Sequence, residues 1–106
     1  MERFTLAIEM GGSNTVIYKL GDGVVLKEST VMAVESDGNK NRVIAVGDTV
    51  KKMSVLPSNV KVMHPVENGV IVDIDLASIM LKKFLEKIEE YKLFRKPGIV
   101  FLYLVV

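Results

Sequence analysis

Residues 4–20, Phe-Thr-Leu-Ala-Ile-Glu-Met-Gly-Gly-Ser-Asn-Thr-Val-Ile-Tyr-Lys-Leu, constrain this chain more than any other stretch. An apolar segment over 4–9 ends on an acidic residue, Glu9, and a tight polar turn then leads into a second β-rich segment over 15–20. Two strands joined this way fold back on each other. Gly11 and Gly12 let backbone N–H groups face outward, and the Ser13 and Thr15 hydroxyls add donors. An acidic side chain at the strand end can hold a hydrated divalent cation beside the phosphates those donors cradle. Gly11, Gly12, Ser13, Asn14 and Thr15 are therefore candidate phosphate contacts, and Glu9 is a candidate magnesium ligand through water. Gly-Gly-Ser-Asn is also ordinary hairpin chemistry. The turn alone leaves both readings open.

With 106 residues, 49% of them hydrophobic and 25% charged, the chain supports at most one domain with a packed core. A formal net charge of +1 gives no field that calls for nucleic acid as a partner. The absence of cysteine excludes a disulfide framework and thiolate metal sites. Met1-Glu2-Arg3 leads into a short alternating run without the long apolar region of a signal peptide. The longest apolar run, Ile99 to Val106, is far shorter than the roughly 20 residues that span a bilayer. A soluble cytoplasmic protein is the expectation.

Alternation and β-branched content predict strands over 4–9, 15–20 and 23–28, the last two joined at Gly21-Asp22-Gly23. Further strands near 31–35 and 42–46 flank Asp37-Gly38-Asn39-Lys40-Asn41, whose residues tolerate positive φ. Asp48 is expected to cap a short helix over 49–55, which Pro57-Ser58-Asn59 ends. Extended segments are expected at 60–63 and 69–74. Asp75 is expected to cap one long helix over 76–91, with Leu76, Ile79, Met80, Phe84, Ile88 and Tyr91 on one stripe and Lys and Glu residues elsewhere. Pro97-Gly98 interrupts the chain, and the run from Ile99 reads as a strand buried on both faces. His64 has no Cys or His neighbour and suits a surface or packing role better than a metal site. Asp73 and Asp75 precede the helix, where capping and the helix dipole account for both.

Several of these segments together resemble one family. Ile8-Glu9-Met10-Gly11-Gly12-Ser13-Asn14-Thr15 is similar to the first phosphate motif of the actin-like bacterial MreB proteins, commonly Ile-Asp-Leu-Gly-Thr-Ala-Asn-Thr. Gly23 through Val34 resembles the family's Gly-Ile-Val-Leu-Asn-Glu-Pro-Ser-Val-Val-Ala-Ile. Ala45-Val46-Gly47 through Lys51-Lys52-Met53, then Pro57-Ser58-Asn59-Val60, then His64-Pro65-Val66-Glu67-Asn68-Gly69-Val70-Ile71-Val72-Asp73 follow in order, and Phe94-Arg95-Lys96-Pro97 is also familiar. The likeness covers residues 4–101 almost without a gap.

This resemblance implies an α/β (α+β) fold: part of an actin-like, ribonuclease H-like N-terminal domain, with a mixed sheet, one long packed helix and a small inserted subdomain. It implies a core unit from 1–29 and 70–106, with 30–69 inserted. It also implies that the complete protein binds ATP with magnesium and is a slow ATPase. Such a protein polymerises with copies of itself into filaments at the inner face of the cytoplasmic membrane. There it directs rod shape with the cell-wall elongation machinery, without nucleic acid. MreB-like proteins are much longer than this chain, so a truncated or frame-shifted copy without ATPase activity is the expectation. Glu9 replaces the family's aspartate and moves the carboxylate by about one C–C bond, against magnesium's narrow geometric tolerance. Gly12 replaces a threonine and loses a hydroxyl.

Leu93 and Phe94, beside Arg95 and Lys96, have two readings. They form either a staple on the helix end or a membrane-dipping loop with cations over anionic headgroups. The family's hydrophobic loop in this region points to the second. Glu9-Met10-Gly11-Gly12 also resembles hexokinase-like sugar kinases, but residues 30–75 follow the cytoskeletal pattern. A divergent actin-like binding module without nucleotide chemistry is the third reading, consistent with Glu9.

Overall fold

The computed structural model describes residues 4–88 and 98–105. Three strands run as an antiparallel meander: β1 (Thr5–Gly11), β2 (Asn14–Lys19) and β3 (Gly23–Ser29). A later strand, β9 (Ile99–Val105), joins β1 in parallel, giving a mixed sheet of order β3-β2-β1-β9. Between them lie β4 (Met32–Asp37), β5 (Lys40–Val46), α1 (Asp48–Lys51) and β6 (Val60–Met63), with the three strands in a second sheet of order β5-β4-β6. A short hairpin, β7 (Val66–Glu67) and β8 (Val70–Ile71), then leads into α2 (Ile74–Leu85). Among the described residues no helix is long and apolar enough to cross a membrane.

Alternation in β1 has a direct packing result. Leu6, Ile8 and Met10 are buried while Thr5, Ala7 and Glu9 are half-buried, as a strand with one face on the core requires. Ile17 and Leu26 continue that face across β2 and β3. Met80 and Phe84 of α2, both fully buried, and Ile88 just beyond it pack into the same cluster. Truncating a phenylalanine buried this way costs about 3–5 kcal/mol, so the α2 stripe is a main source of stability. Strand β4 is buried on both faces: Met32 and Val34 enter this cluster, while Ala33, with Val31, packs with Val50 and Val60 in a smaller one.

Five expectations need correction. Asp73, not Asp75, caps the long helix: its Oδ1 accepts from the Leu76 amide at 3.0 Å, and the helix starts two residues earlier. Asp75 sits in the first turn, where its charge meets the positive end of the helix. Ile79 is exposed, so the stripe is narrower than its spacing suggests; Tyr91 lies outside the described residues. Asp48 caps nothing, because α1 is only four residues long and Gly47 precedes it. The Asp48 carboxylate instead turns back to β3 and accepts from both the backbone N–H and the hydroxyl of Ser29, each at 2.9 Å.

The fourth correction concerns β9. Each residue from Val100 to Val105 is between 43% and 54% exposed, so the strand is not sandwiched. It stands at the edge of the sheet, paired among the described residues with β1 alone. The segment expected to be extended over 69–74 also resolves differently. Asn68 (φ 51°) and Gly69 (φ 75°) form a two-residue turn with positive φ at both positions, which closes β7 on β8.

Candidate functional site

The β1–β2 ladder ends at the pair Met10↔Thr15, so Gly12 and Ser13 project beyond it as a turn. A backbone bond from Thr30 N–H to the Ser13 carbonyl, 3.0 Å, fixes that turn against the β3–β4 junction. Gly11 lies close to its neighbours: a Cβ there would come 3.3 Å from the Asn14 carbonyl oxygen, a tight contact, and 3.7 Å from Val105 Cβ, an ordinary one.

These constraints shape a cleft of about 390 Å3. Its lining includes Glu9, Gly11, Gly12, Ser13, Asn14 and Asn68, closed at one side by Val105. Glu9 stands half-buried at the end of β1 and accepts a hydrogen bond from the Tyr18 hydroxyl at 3.4 Å, a long contact that leaves the carboxylate the capacity for more. The wall thus combines one carboxylate, turn amides lying beyond the ladder, a serine hydroxyl and two side-chain amides. Such a set suits a phosphate chain accompanied by a cation. Among the described residues no group of three or more His, Cys, Asp or Glu could hold a metal by itself. The donor set therefore fits magnesium only where phosphate oxygens and waters supply most of the ligands around Glu9.

Of the five expected phosphate contacts, Gly11, Gly12, Ser13 and Asn14 come together in this cleft. Thr15 does not. It is fully buried, and its hydroxyl shares a 2.8 Å hydrogen bond with that of Thr30, so it braces the turn from beneath. Leu93 and Phe94 lie outside the described residues. His64 is exposed and stays away from this cleft.

Sequence reasoning missed Asn68 and Val105. Asn68 had a signal, since Asn-Gly between β-rich segments marks a tight hairpin. Val105 had none, because only the parallel register that sets it opposite Gly11 brings it to the cleft.

On β3, Glu28 Oε1 accepts from the Asp48 amide at 3.1 Å, and Glu28 Oε2 pairs with Lys87 Nζ at 2.7 Å. With the Asp48–Ser29 bonds, this locks β3 to the start of α1 and to the end of α2. The Ser29 backbone N–H, then its hydroxyl, hold the Asp48 carboxyl below its ordinary 3.8 against some desolvation, and Lys51 and Lys52 add to the effect.

Residues 3–103 match the family model described as MreB/Mbl protein. The chain belongs to the MreB/Mbl family. It is 37% identical over 93 residues to the cell shape-determining protein Mbl of Bacillus subtilis, covering 87% of this chain and 27% of that protein. With the cell shape-determining protein MreB of Escherichia coli it shares 36% identity over 93 residues, 85% of this chain and 27% of the relative. In three dimensions it resembles MreB5 of Spiroplasma citri solved with AMPPNP, with a TM-score of 0.77 and 26% identity over 96% of this chain and 30% of that one. The same protein solved with ADP gives 0.74 and 28%, over 94% of this chain and 29% of that one. The fold is thus that of an actin-like N-terminal domain in part, and the chain spans under a third of the length of these MreB/Mbl relatives.

Proposed function

We propose that the cleft in front of Glu9 receives the phosphates of an adenine nucleotide, and that this protein is an actin-like determinant of bacterial cell shape. One observation carries the proposal: Gly12, Ser13 and Asn14 converge with Asn68 and the Glu9 carboxylate on a single cleft. The MreB5 neighbours, solved with AMPPNP and with ADP, support the choice of nucleotide. In this reading the turn amides and the Ser13 hydroxyl bind phosphate oxygens, and Glu9 orients the water shell of the accompanying cation. Magnesium, when bound, neutralises phosphate charge. Residues 30–69 act as an inserted subdomain on the core unit.

A nucleotide titration followed by amide NMR tests this. With AMPPNP and magnesium, the amides of Gly12, Ser13, Asn14 and Asn68 are expected to shift together, at millimolar affinity in the 106-residue chain. Binding is weak because a single turn supplies only part of a nucleotide's donors. Absence of shifts at these four residues overturns the proposal. Micromolar affinity would mean that this one cleft suffices.

The proposal extends to self-association into filaments at the inner membrane face together with the cell-wall elongation machinery, on the strength of family membership. For Leu93 and Phe94 the support is the resemblance alone. Wild-type protein is expected to pellet with anionic liposomes, and the Leu93→Ser, Phe94→Ser double variant is expected to stay in solution. Unchanged pelleting of the variant removes the membrane role of that pair.

A further inference from the structure

We propose that a second cleft, which shares the Gly12-Ser13 turn with the first, binds a small organic oxyanion: a phosphate or carboxylate on a short apolar body, taken without a metal ion. This cleft, about 360 Å3, is lined among others by Ser13, Thr30, Val50, Lys51, Val62 and His64. Its volume accommodates a body of one ring.

Charge separates the two clefts. Among the described residues the first contains a carboxylate, Glu9, and neither lysine nor arginine, so an anion there needs a cation with it. The second contains, among the described residues, the Lys51 ammonium and no carboxylate, and therefore supplies its own counter-charge. Asp48, the acidic residue nearest to Lys51 in sequence, commits Oδ1 to Ser29 and feels the Lys51 charge only through space, without a salt bridge. Lys51 and His64 are both exposed, and among the described residues neither makes a hydrogen bond or an ion pair.

Hydrogen-bonding capacity narrows the ligand further. The Ser29 and Thr30 hydroxyls already face Asp48 and Thr15, so they act as wall and not as donors. The remaining donors are the Ser13 hydroxyl, the Lys51 ammonium and a ring N–H of His64, a set that matches the several acceptor oxygens of one oxyanion. Val50 and Val62 offer the apolar surface on which the body of the ligand would rest.

The probe is phenyl phosphate, titrated into the 106-residue chain with a chelator present and followed by amide NMR. Saturable shifts are expected at Thr30, Lys51, Val62 and His64, while Asn68 and Val105, which line only the first cleft, stay still. Benzyl alcohol, with a similar ring and no charge, is expected to leave the spectrum unchanged. Lys51→Gln combined with His64→Gln is expected to weaken binding about tenfold, as loss of a charge-assisted contact should. Both side chains are exposed, so the variants are expected to keep the native spectrum. The proposal is overturned by shifts confined to Asn68 and Val105, by equal binding of benzyl alcohol, by unchanged affinity in the double variant, or by no saturable shift at millimolar probe. Because the nucleotide titration reads Asn14 and Asn68, failure of one cleft is distinguishable from failure of the other.

Discussion

Thr15 and Thr30 share one hydrogen bond between their hydroxyls, 2.8 Å long and fully shielded from water. Removing one partner leaves the other buried and unsatisfied. Thr15→Val and Thr30→Val are each expected to cost about 1–3 kcal/mol, whereas the double variant should lose less than the sum. Urea denaturation of the four proteins provides the cycle. Additive losses would show that the two hydroxyls do not depend on each other.

Gly47 combines two reasons to be glycine. Its φ is 69° with ψ −142°, and a Cβ there would collide with Glu28 Oε1 and lie 2.8 Å from Phe84 Cε1. Gly47→Ala is expected to destabilise the fold by at least about 2 kcal/mol, with a lowered urea midpoint at unchanged slope. A midpoint equal to wild type would mean that the α1 entry shifts at no cost.

The Asp48 bonds predict an acid-sensitive latch. Its folded carboxyl titrates below the ordinary 3.8, because Ser29 favours the charged form. The contribution is therefore fully present above that ordinary value and is lost as pH falls through the lowered folded value. Wild type is expected to lose stability below about pH 4 more steeply than Asp48→Asn. Parallel stability–pH curves for the two proteins would remove Asp48 as a contributor.

How far the sequence was legible is clearest at the two ends of α2. Met80, Phe84 and Ile88 were readable as core because their spacing depends only on helix geometry. The cap was not, since Asp73 and Asp75 are chemically equivalent candidates and the path of the incoming chain decides between them. That path is set by a bond from Val72 N–H to the Pro65 carbonyl, 2.9 Å, which extends the β7–β8 hairpin by one pair beyond its ladder. In the candidate site, the Gly12-Ser13 turn was legible from its glycines. The burial of Thr15 was not, because its partner Thr30 lies on another strand. An apolar run likewise reveals that β9 is a strand, but not how many neighbours it acquires.

Strand β9 carries no charge and no proline along Ile99–Val105, and among the described residues its outer edge has no partner. Uncharged edges of this kind template intermolecular pairing. The 106-residue chain is expected to associate with rising concentration, and Leu102→Lys is expected to shift it toward monomer in sedimentation velocity. Identical profiles would show that the edge is already shielded.

The β1–β9 pairing also orders events in time. The β1–β2–β3 meander closes through local turns, whereas β9 must return across almost the whole chain to lie parallel to β1. Closing so long a loop is slow relative to hairpin formation. In pulse-labelling hydrogen exchange, Ile17 should therefore gain protection before Val105; simultaneous protection would argue for one concerted step. The glycine turn is then present early, but the wall that Val105 gives the first cleft arrives only with the final strand. A ligand in that cleft would hold the two distant ends of the chain together, and resistance to local opening at β9 would rise with its occupancy.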